Sequence, residues 1–138
     1  MALVTGAARR IGRSVALRLA ADGADIVFSY RHSRAEADSL VREIAALGRT
    51  AQAREADVTK RDEVLGLVEA AGKLRGRLDI LVNNVGMFFG KPFEQLTESD
   101  WDTIMSTNLK SQFLAADVYK RQLHDVLRAQ DNLRQQKL

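Results

Sequence analysis

The sequence predicts a doubly wound α/β fold, a parallel sheet in the strand order 3-2-1-4 with helices on both faces. Three observations carry that expectation. Short apolar runs alternate with longer segments of helical period, the pattern of parallel strands joined by crossover helices. A glycine follows each of the first three helical stripes, where a left-handed cap needs a residue without a side chain. The first strand passes into the first helix through the glycine-bearing turn Thr5-Gly6-Ala7-Ala8-Arg9-Arg10-Ile11-Gly12. Right-handed crossovers then place the carboxyl end of strand one at the crevice where ligands bind.

The elements follow in order. Ala2 to Thr5, Asp25 to Tyr30, Thr50 to Glu55 and Asp79 to Val82 read as strands one to four. Ile11, Val15 and Leu19 mark the apolar stripe of the first helix. Ala37, Leu40, Val41, Ile44 and Leu47 mark that of the second, and Val64, Leu67, Val68, Ala71 and Leu74 that of the third. Gly23, Gly48 and Gly76 are the expected caps. A fourth helix starts near Thr97, with Thr97 and Asp100 as rival caps and Trp101, Ile104, Met105, Asn108 and Leu109 along one side. The Gln- and Arg-rich stretch from Leu123 to Leu138 reads as an exposed amphipathic helix or a frayed tail.

A chain of 138 residues that is 46% hydrophobic suits one globular core. The net charge of +3 comes from 21 basic and 18 acidic residues that are interspersed, which argues against a nucleic-acid partner. Local basic excess sits at Arg9, Arg10 and Arg13 and again at Arg31, His32 and Arg34. With no cysteine, disulfides, zinc-thiolate sites and thiol nucleophiles are excluded, and no metal site is expected. No apolar run approaches the roughly 18 residues of a membrane span, so the expectation is a soluble cytoplasmic protein.

The turn from Gly6 to Gly12 follows a strand and opens a helix, so its backbone N–H groups and the helix dipole face the spot where a pyrophosphate would lie. Taken alone it is also an ordinary strand-to-helix turn. Further along the chain stand Asp57-Val58, Asn83-Asn84-Val85-Gly86 and Asn108. Together these motifs resemble the short-chain dehydrogenase/reductase family: its TGxxxGxG turn, an acid after strand three, an NNAG segment after strand four and an Asn in helix four. The resemblance covers residues 1 to about 116 and implies a Rossmann-type sheet. It also implies an NAD(P)-dependent enzyme, similar to 3-oxoacyl or pteridine reductases, that reduces a small-molecule carbonyl or oxidises an alcohol.

Carried over residue by residue, the resemblance implies that Gly6, Ala8, Arg9, Arg10, Ile11 and Gly12 cradle the pyrophosphate. Asp57 would accept from the adenine amino group, Val58 would line the adenine pocket, and Asn84 and Gly86 would lie along the ribose. Asp57 is equally good turn chemistry, and the asparagines also suit an architectural role. The family's middle glycine is Arg10 here, and its NNAG alanine is Val85. Roughly 20 positions after the glycine turn, where an NAD site offers an acid, the chain reads Tyr30-Arg31-His32-Ser33-Arg34. Arg31 and Ser33 there suit a 2′-phosphate, so NADP(H) is expected over NAD(H), although Ser33 also suits a helix N-cap. His32 is too far from any hydride acceptor for a general base. Met87, Phe88 and Phe89 suit either a substrate wall or simple packing.

In the family, hydride transfer uses a Ser, a Tyr and a Lys four residues after it, and the resemblance extends to only one supporting residue, Asn108. Tyr119 and Lys120 are adjacent and would project about 100° apart on a helix, so they do not form that pair. Asp117-Val118-Tyr119-Lys120-Arg121-Gln122 matches the translation of a transposase end sequence used in sequencing adapters. The expected division is therefore an NADP-binding half-domain over 1–116 and an adapter-derived tail over 117–138, helical or disordered. On this reading the chain is a truncated, inactive fragment whose full-length form is a homo-oligomer. The rival reading is a noncatalytic NADP(H)-binding module, and a third is a chain that folds only in part.

Overall fold

The computed structural model describes residues 1–120. Its sheet has four parallel strands, β1 (Ala2–Val4), β2 (Ile26–Tyr30), β3 (Ala51–Glu55) and β4 (Ile80–Val82), in the order β3-β2-β1-β4. Leu3 of β1 is in register with Val27 of β2 and Leu81 of β4. Helices α1 (Arg10–Ala21), α2 (Arg34–Ala46) and α3 (Arg61–Arg75) form the crossovers. The architecture is the doubly wound sheet expected from the alternating pattern.

The two-residue period of a strand sends alternate side chains of β1 and β2 to opposite faces. Leu3 and Val27 join Val64, Leu67, Val68 and Ala71 of α3 in one core. Ala2, Val4, Ile26 and Phe28 join Ala16 and Ala20 of α1 and Leu40 and Ile44 of α2 in the other. Both strands are therefore apolar along nearly their whole length, as a sheet covered on two sides requires. Gly23, Gly48 and Gly76 take φ values of +97°, +73° and +74°, the left-handed caps their positions call for. Among the described residues no helix is long and apolar enough to cross a membrane.

The structure corrects the sequence reading in three places. In α1 the buried stripe is Gly12, Ala16 and Ala20, one residue on from the expected Ile11, Val15 and Leu19, and Ile11 is 74% exposed. Small residues face the sheet because α1 packs closely on the glycine turn, and both stripes share the same period. In α2, Leu47 lies past the helix end and is exposed. Helix α4 (Glu98–Met105) starts with a capping box: Thr97 accepts from the Asp100 N–H, and the Asp100 carboxylate accepts from the Thr97 N–H. Thr97 and Asp100 are thus partners, not rivals.

A π-helical turn, Ser106–Lys110, follows α4, and its wider ring rotates the face that the next turns present. Trp101 and Leu109 are consequently 65% and 57% exposed, and Ser111, Leu114, Ala115 and Val118 are buried instead. Helical residues 111–120 run through the expected 116/117 boundary without a break. The expectations for the rest of the tail, including the Leu123 to Leu138 stretch, lie outside the described residues.

A buried carboxylate, not singled out from sequence, ties the amino-terminal ends of the strands together. Asp25, 3% exposed, accepts from the Thr50 N–H at 2.8 Å and from Arg75 Nε, with Arg49 Nη2 at 3.1 Å. Burial would raise its carboxyl, but these hydrogen bonds and the two guanidinium charges outweigh that and hold it below the ordinary range. A carboxyl depressed in the folded state stabilises fully above its unfolded pKa, near 4, and loses that contribution as pH falls through the folded value. Asp25→Asn is expected to lower unfolding free energy at pH 7 by about 2 kcal/mol, the scale of charged hydrogen bonds. Urea titrations should show the gap to wild type closing as pH falls below about 4; a gap unchanged down to pH 2 would contradict this origin.

Candidate functional site

The turn between β1 and α1 is held from below and left open above. Thr5 N–H donates to the Val82 carbonyl and Ala7 N–H to the Ser29 carbonyl, each at 3.0 Å. Gly6, at φ +65°, donates its N–H to Ser29 Oγ at 3.0 Å. Beyond these, Arg9 stands at the N-cap of α1 without a side-chain capping bond, and the first turn carries no acidic residue. The orphan N–H groups and dipole of that end are therefore available to an external anion.

Asn84 locks the turn to the end of β4. Its Nδ2 donates to the carbonyls of Thr5 and Gly6 at 2.9 and 3.1 Å, and its backbone N–H donates to Thr5 Oγ1 at 2.9 Å. A methyl group on Gly12 would lie 2.7 Å from the Gly6 carbonyl oxygen and 2.8 Å from Ala7 Cα, so no side chain fits there. Arg10, standing where the family has its middle glycine, keeps the left-handed backbone at φ +54°. For a residue with a Cβ that conformation costs about 1–2 kcal/mol. Val85 leans over Gly6, its Cγ2 2.7 Å from where a Cβ on Gly6 would be.

These residues enclose a cleft of about 500 Å³ at the carboxyl ends of the strands. Gly6, Ala8, Arg9, Arg10, Ile11, Gly12, Arg31, Ser33, Asn84 and Gly86 line it, together with Tyr30, His32 and Val85. Ser33 holds the N-cap position of α2 but makes no side-chain capping bond, so its hydroxyl remains available at the rim. Arg13, part of the basic excess noted in the sequence, does not line this cleft. It binds the carbonyls of Ala8 and Glu36, Ser39 Oγ and the Glu43 carboxylate, fastening the turn to α2.

Asp57, Val58 and Asn108 stand outside the lining. Asp57 Oδ1 accepts from the N–H and hydroxyl of Thr59 at 3.0 and 2.7 Å, and Oδ2 lies 3.4 Å from Arg31 at the rim. Burial acts to raise the Asp57 carboxyl, but the Thr59 hydrogen bonds and the charges of Arg31 and Lys60 hold it below the ordinary range. Val58 is 5% exposed because this turn points its side chain into the α3-side core, so the side chain does not line an adenine pocket. Asn108, in the π-helical turn, accepts from the Met87 N–H at 2.7 Å and donates to the Met87 carbonyl at 2.8 Å, fixing the loop after β4. Farther along that loop Lys91 binds Asp100, which with the Thr97 hydrogen bonds pulls the Asp100 carboxyl down to about 2.

Tyr119 packs against the α3-side core and Lys120 pairs with Asp117 at 2.9 Å, so the two do not share a site. Among the described residues no group of three or more His, Cys, Asp or Glu stands together as a metal cluster. Ser29 and Thr5, buried beneath the turn, escaped the sequence reading. A hydroxyl inside an otherwise apolar strand is the signal that could have found Ser29.

The family model described as short chain dehydrogenase matches residues 1–129. The chain belongs to the short-chain dehydrogenase family. A hydroxynaphthalene reductase-like protein of Metarhizium robertsii is 44% identical over 116 residues, 84% of this chain and 43% of that protein. The 3-oxoacyl-[acyl-carrier-protein] reductase of Staphylococcus aureus is 41% identical over 112 residues, 81% of this chain and 46% of that protein. This short-chain dehydrogenase chain thus spans about half the length of the curated relatives it matches. Among solved structures, a short chain dehydrogenase from Burkholderia cenocepacia in complex with NADP superposes with a TM-score of 0.83 at 41% identity, over 87% of this chain and 49% of that one. A blue fluorescent protein from a metagenomic library in complex with NADPH has a TM-score of 0.82 at 40% identity, over 87% and 49% of the two chains.

The turn geometry separates two substitutions that sequence alone would rank alike. Gly12→Ala is expected to cost about 1–3 kcal/mol, because the methyl group meets backbone that has nowhere to move. Arg10→Gly relieves the left-handed strain and should leave stability equal to wild type or raise it by up to about 1 kcal/mol. Chemical denaturation of both variants checks the order. Greater destabilisation by Arg10→Gly would mean that the turn has been drawn wrongly.

Proposed function

We propose that the cleft binds NADP(H) in preference to NAD(H), as the dinucleotide-binding part of an oxidoreductase that reduces a small-molecule carbonyl or oxidises an alcohol. The observation that carries the reading is the absence of an acid at the end of β2. Tyr30, Arg31, His32 and Ser33 line that wall of the cleft, so nothing there repels a 2′-phosphate. A guanidinium and a hydroxyl are instead placed to bind one.

The residues present fit a dinucleotide. Gly12 is a position where backbone must come close, and the first turn of α1 has neither a side-chain cap nor an acid to compete with a pyrophosphate. Arg9, Arg10 and the N–H groups beside them would hold the pyrophosphate, with Asn84 and Gly86 along the ribose. Asp57 would reach the adenine amino group, and only the backbone of Val58 would be available beside the ring. The nicotinamide, when bound, supplies or accepts the hydride. The proton chemistry on the substrate oxygen we assign to a Ser and a Tyr–Lys pair that have no counterpart in these 138 residues. Asn108 would act as a support by fixing Met87 and the loop beside the cleft. Exposed Trp101, Leu109 and Phe113 support assembly of the whole protein as a homo-oligomer.

Titration calorimetry tests the cofactor reading. The wild-type chain should bind NADP⁺ at least roughly tenfold more tightly than NAD⁺, with an affinity that falls as salt rises. Arg31→Asp should remove that preference and flatten the salt dependence, since it places a like charge against the phosphate. Equal affinities for the two dinucleotides before and after the substitution would overturn the reading.

A further inference from the structure

One ion pair joins the end of β2 to the turn after β3. Arg31 Nη2 lies 3.4 Å from Asp57 Oδ2, and the two side chains are 67% and 17% exposed. The carboxylate is fixed independently of Arg31. Oδ1 is taken by both the N–H and the hydroxyl of Thr59, and the Asp57 N–H donates to Glu63 at 2.6 Å. The other charges nearby are engaged with each other, Lys60 pairing with Glu63 at 3.0 Å. A rigid anion therefore faces a flexible cation at the rim of the cleft.

Magnitudes decide what this pair does. An exposed ion pair contributes only about 0–1 kcal/mol to folding, so stability is a weak reason for the arrangement. Ordering an arginine side chain costs up to about 2 kcal/mol of rotamer entropy, and a pair that restricts it in advance lowers that cost for the next ligand. A guanidinium carries five N–H donors, enough to keep Asp57 on one edge and bind a phosphate on another.

We infer that Asp57 is a positioning residue for 2′-phosphate recognition: locked by Thr59, it holds Arg31 at the cleft rim, so that selectivity belongs to the Thr59–Asp57–Arg31 chain. The inference rests on the NADP(H) reading of the cleft. It is distinct from a contact to adenine, which phosphorylated and unphosphorylated nucleotides share, and which would affect both alike. It is also opposite in sign to simple repulsion, since removing a carboxylate near a phosphate site would by field alone strengthen binding.

The test is calorimetry on the full chain with adenosine 2′,5′-bisphosphate and AMP as probes, using wild type, Asp57→Asn, Arg31→Gln and the double variant. Asparagine keeps an oxygen for Thr59 and for an adenine amino group while losing the charge that holds Arg31. Asp57→Asn is expected to weaken the bisphosphate roughly three- to tenfold, the scale of a partly exposed charge-assisted contact, and AMP less than about twofold. In the Arg31→Gln background the same substitution should add nothing, and Thr59→Val should act like Asp57→Asn to a smaller extent. If wild type discriminates but Asp57→Asn weakens both probes equally, strengthens the bisphosphate, or adds to Arg31→Gln, the positioning role falls and the cofactor reading stands. If wild type binds both probes alike, or neither, the cofactor reading falls and takes this role with it.

Discussion

The Asn84 side chain donates to the carbonyls of Thr5 and Gly6, and through those two bonds the carboxyl ends of β1 and β4 and the glycine turn become one rigid body. The same amide occupies the space that a side chain at Gly12 would need. Helix α1 can therefore start only with a glycine at that point, and it descends on the sheet with Ala16 and Ala20 as its contact surface. The shape of the cleft follows from that close approach. With so many contacts determining the turn, it can also carry Arg10 in a backbone conformation that a side chain disfavours.

Arginines divide between architecture and the cleft. Arg13 is consumed in holding α2 against the turn, and Arg49 and Arg75 in neutralising buried Asp25 at the opposite end of the sheet. Arg9, Arg10 and Arg31 line the cleft. Charge is thus sorted by position: carboxylates collect the cations that build the sheet, and the ligand-facing ends of β2 and α1 are left basic. Asp57 bridges the two groups, fastened to its own turn by Thr59 yet within ion-pairing distance of Arg31.

Much of this was legible in the sequence because it is local. The strand runs, the glycine caps and the Thr5 to Gly12 turn each depend on neighbours in the chain, and the four-strand order follows from crossover handedness. What was not legible depends on partners far apart in sequence. The one-residue error in the α1 stripe arose because Ile11-Val15-Leu19 and Gly12-Ala16-Ala20 have the same period, and only the depth of packing on the turn chooses between them. The exposure of Trp101 and Leu109 follows from the π-helical turn around Asn108, which resets the helix face and has no periodic signature. Val58 was read as a pocket wall because its neighbour Asp57 carries the motif, whereas the Thr59 turn directs it inward. The Asp25 and Arg31–Asp57 pairs join residues from different strands and helices, and a single sequence does not show such pairings.

The central claim is that the glycine turn, the basic end of β2 and the Asn84 segment form one binding site for a phosphorylated dinucleotide. Mapping backbone amide shifts by NMR on a ¹⁵N-labelled chain titrated with NADP⁺ tests it most directly. The account predicts saturable shifts concentrated at Gly6, Arg10 to Gly12, Arg31 to Ser33 and Asn84 to Gly86, with little change around Asp25, Arg49 and Arg75. Shifts centred at that opposite end of the sheet, or no saturable shift at the turn, would contradict it.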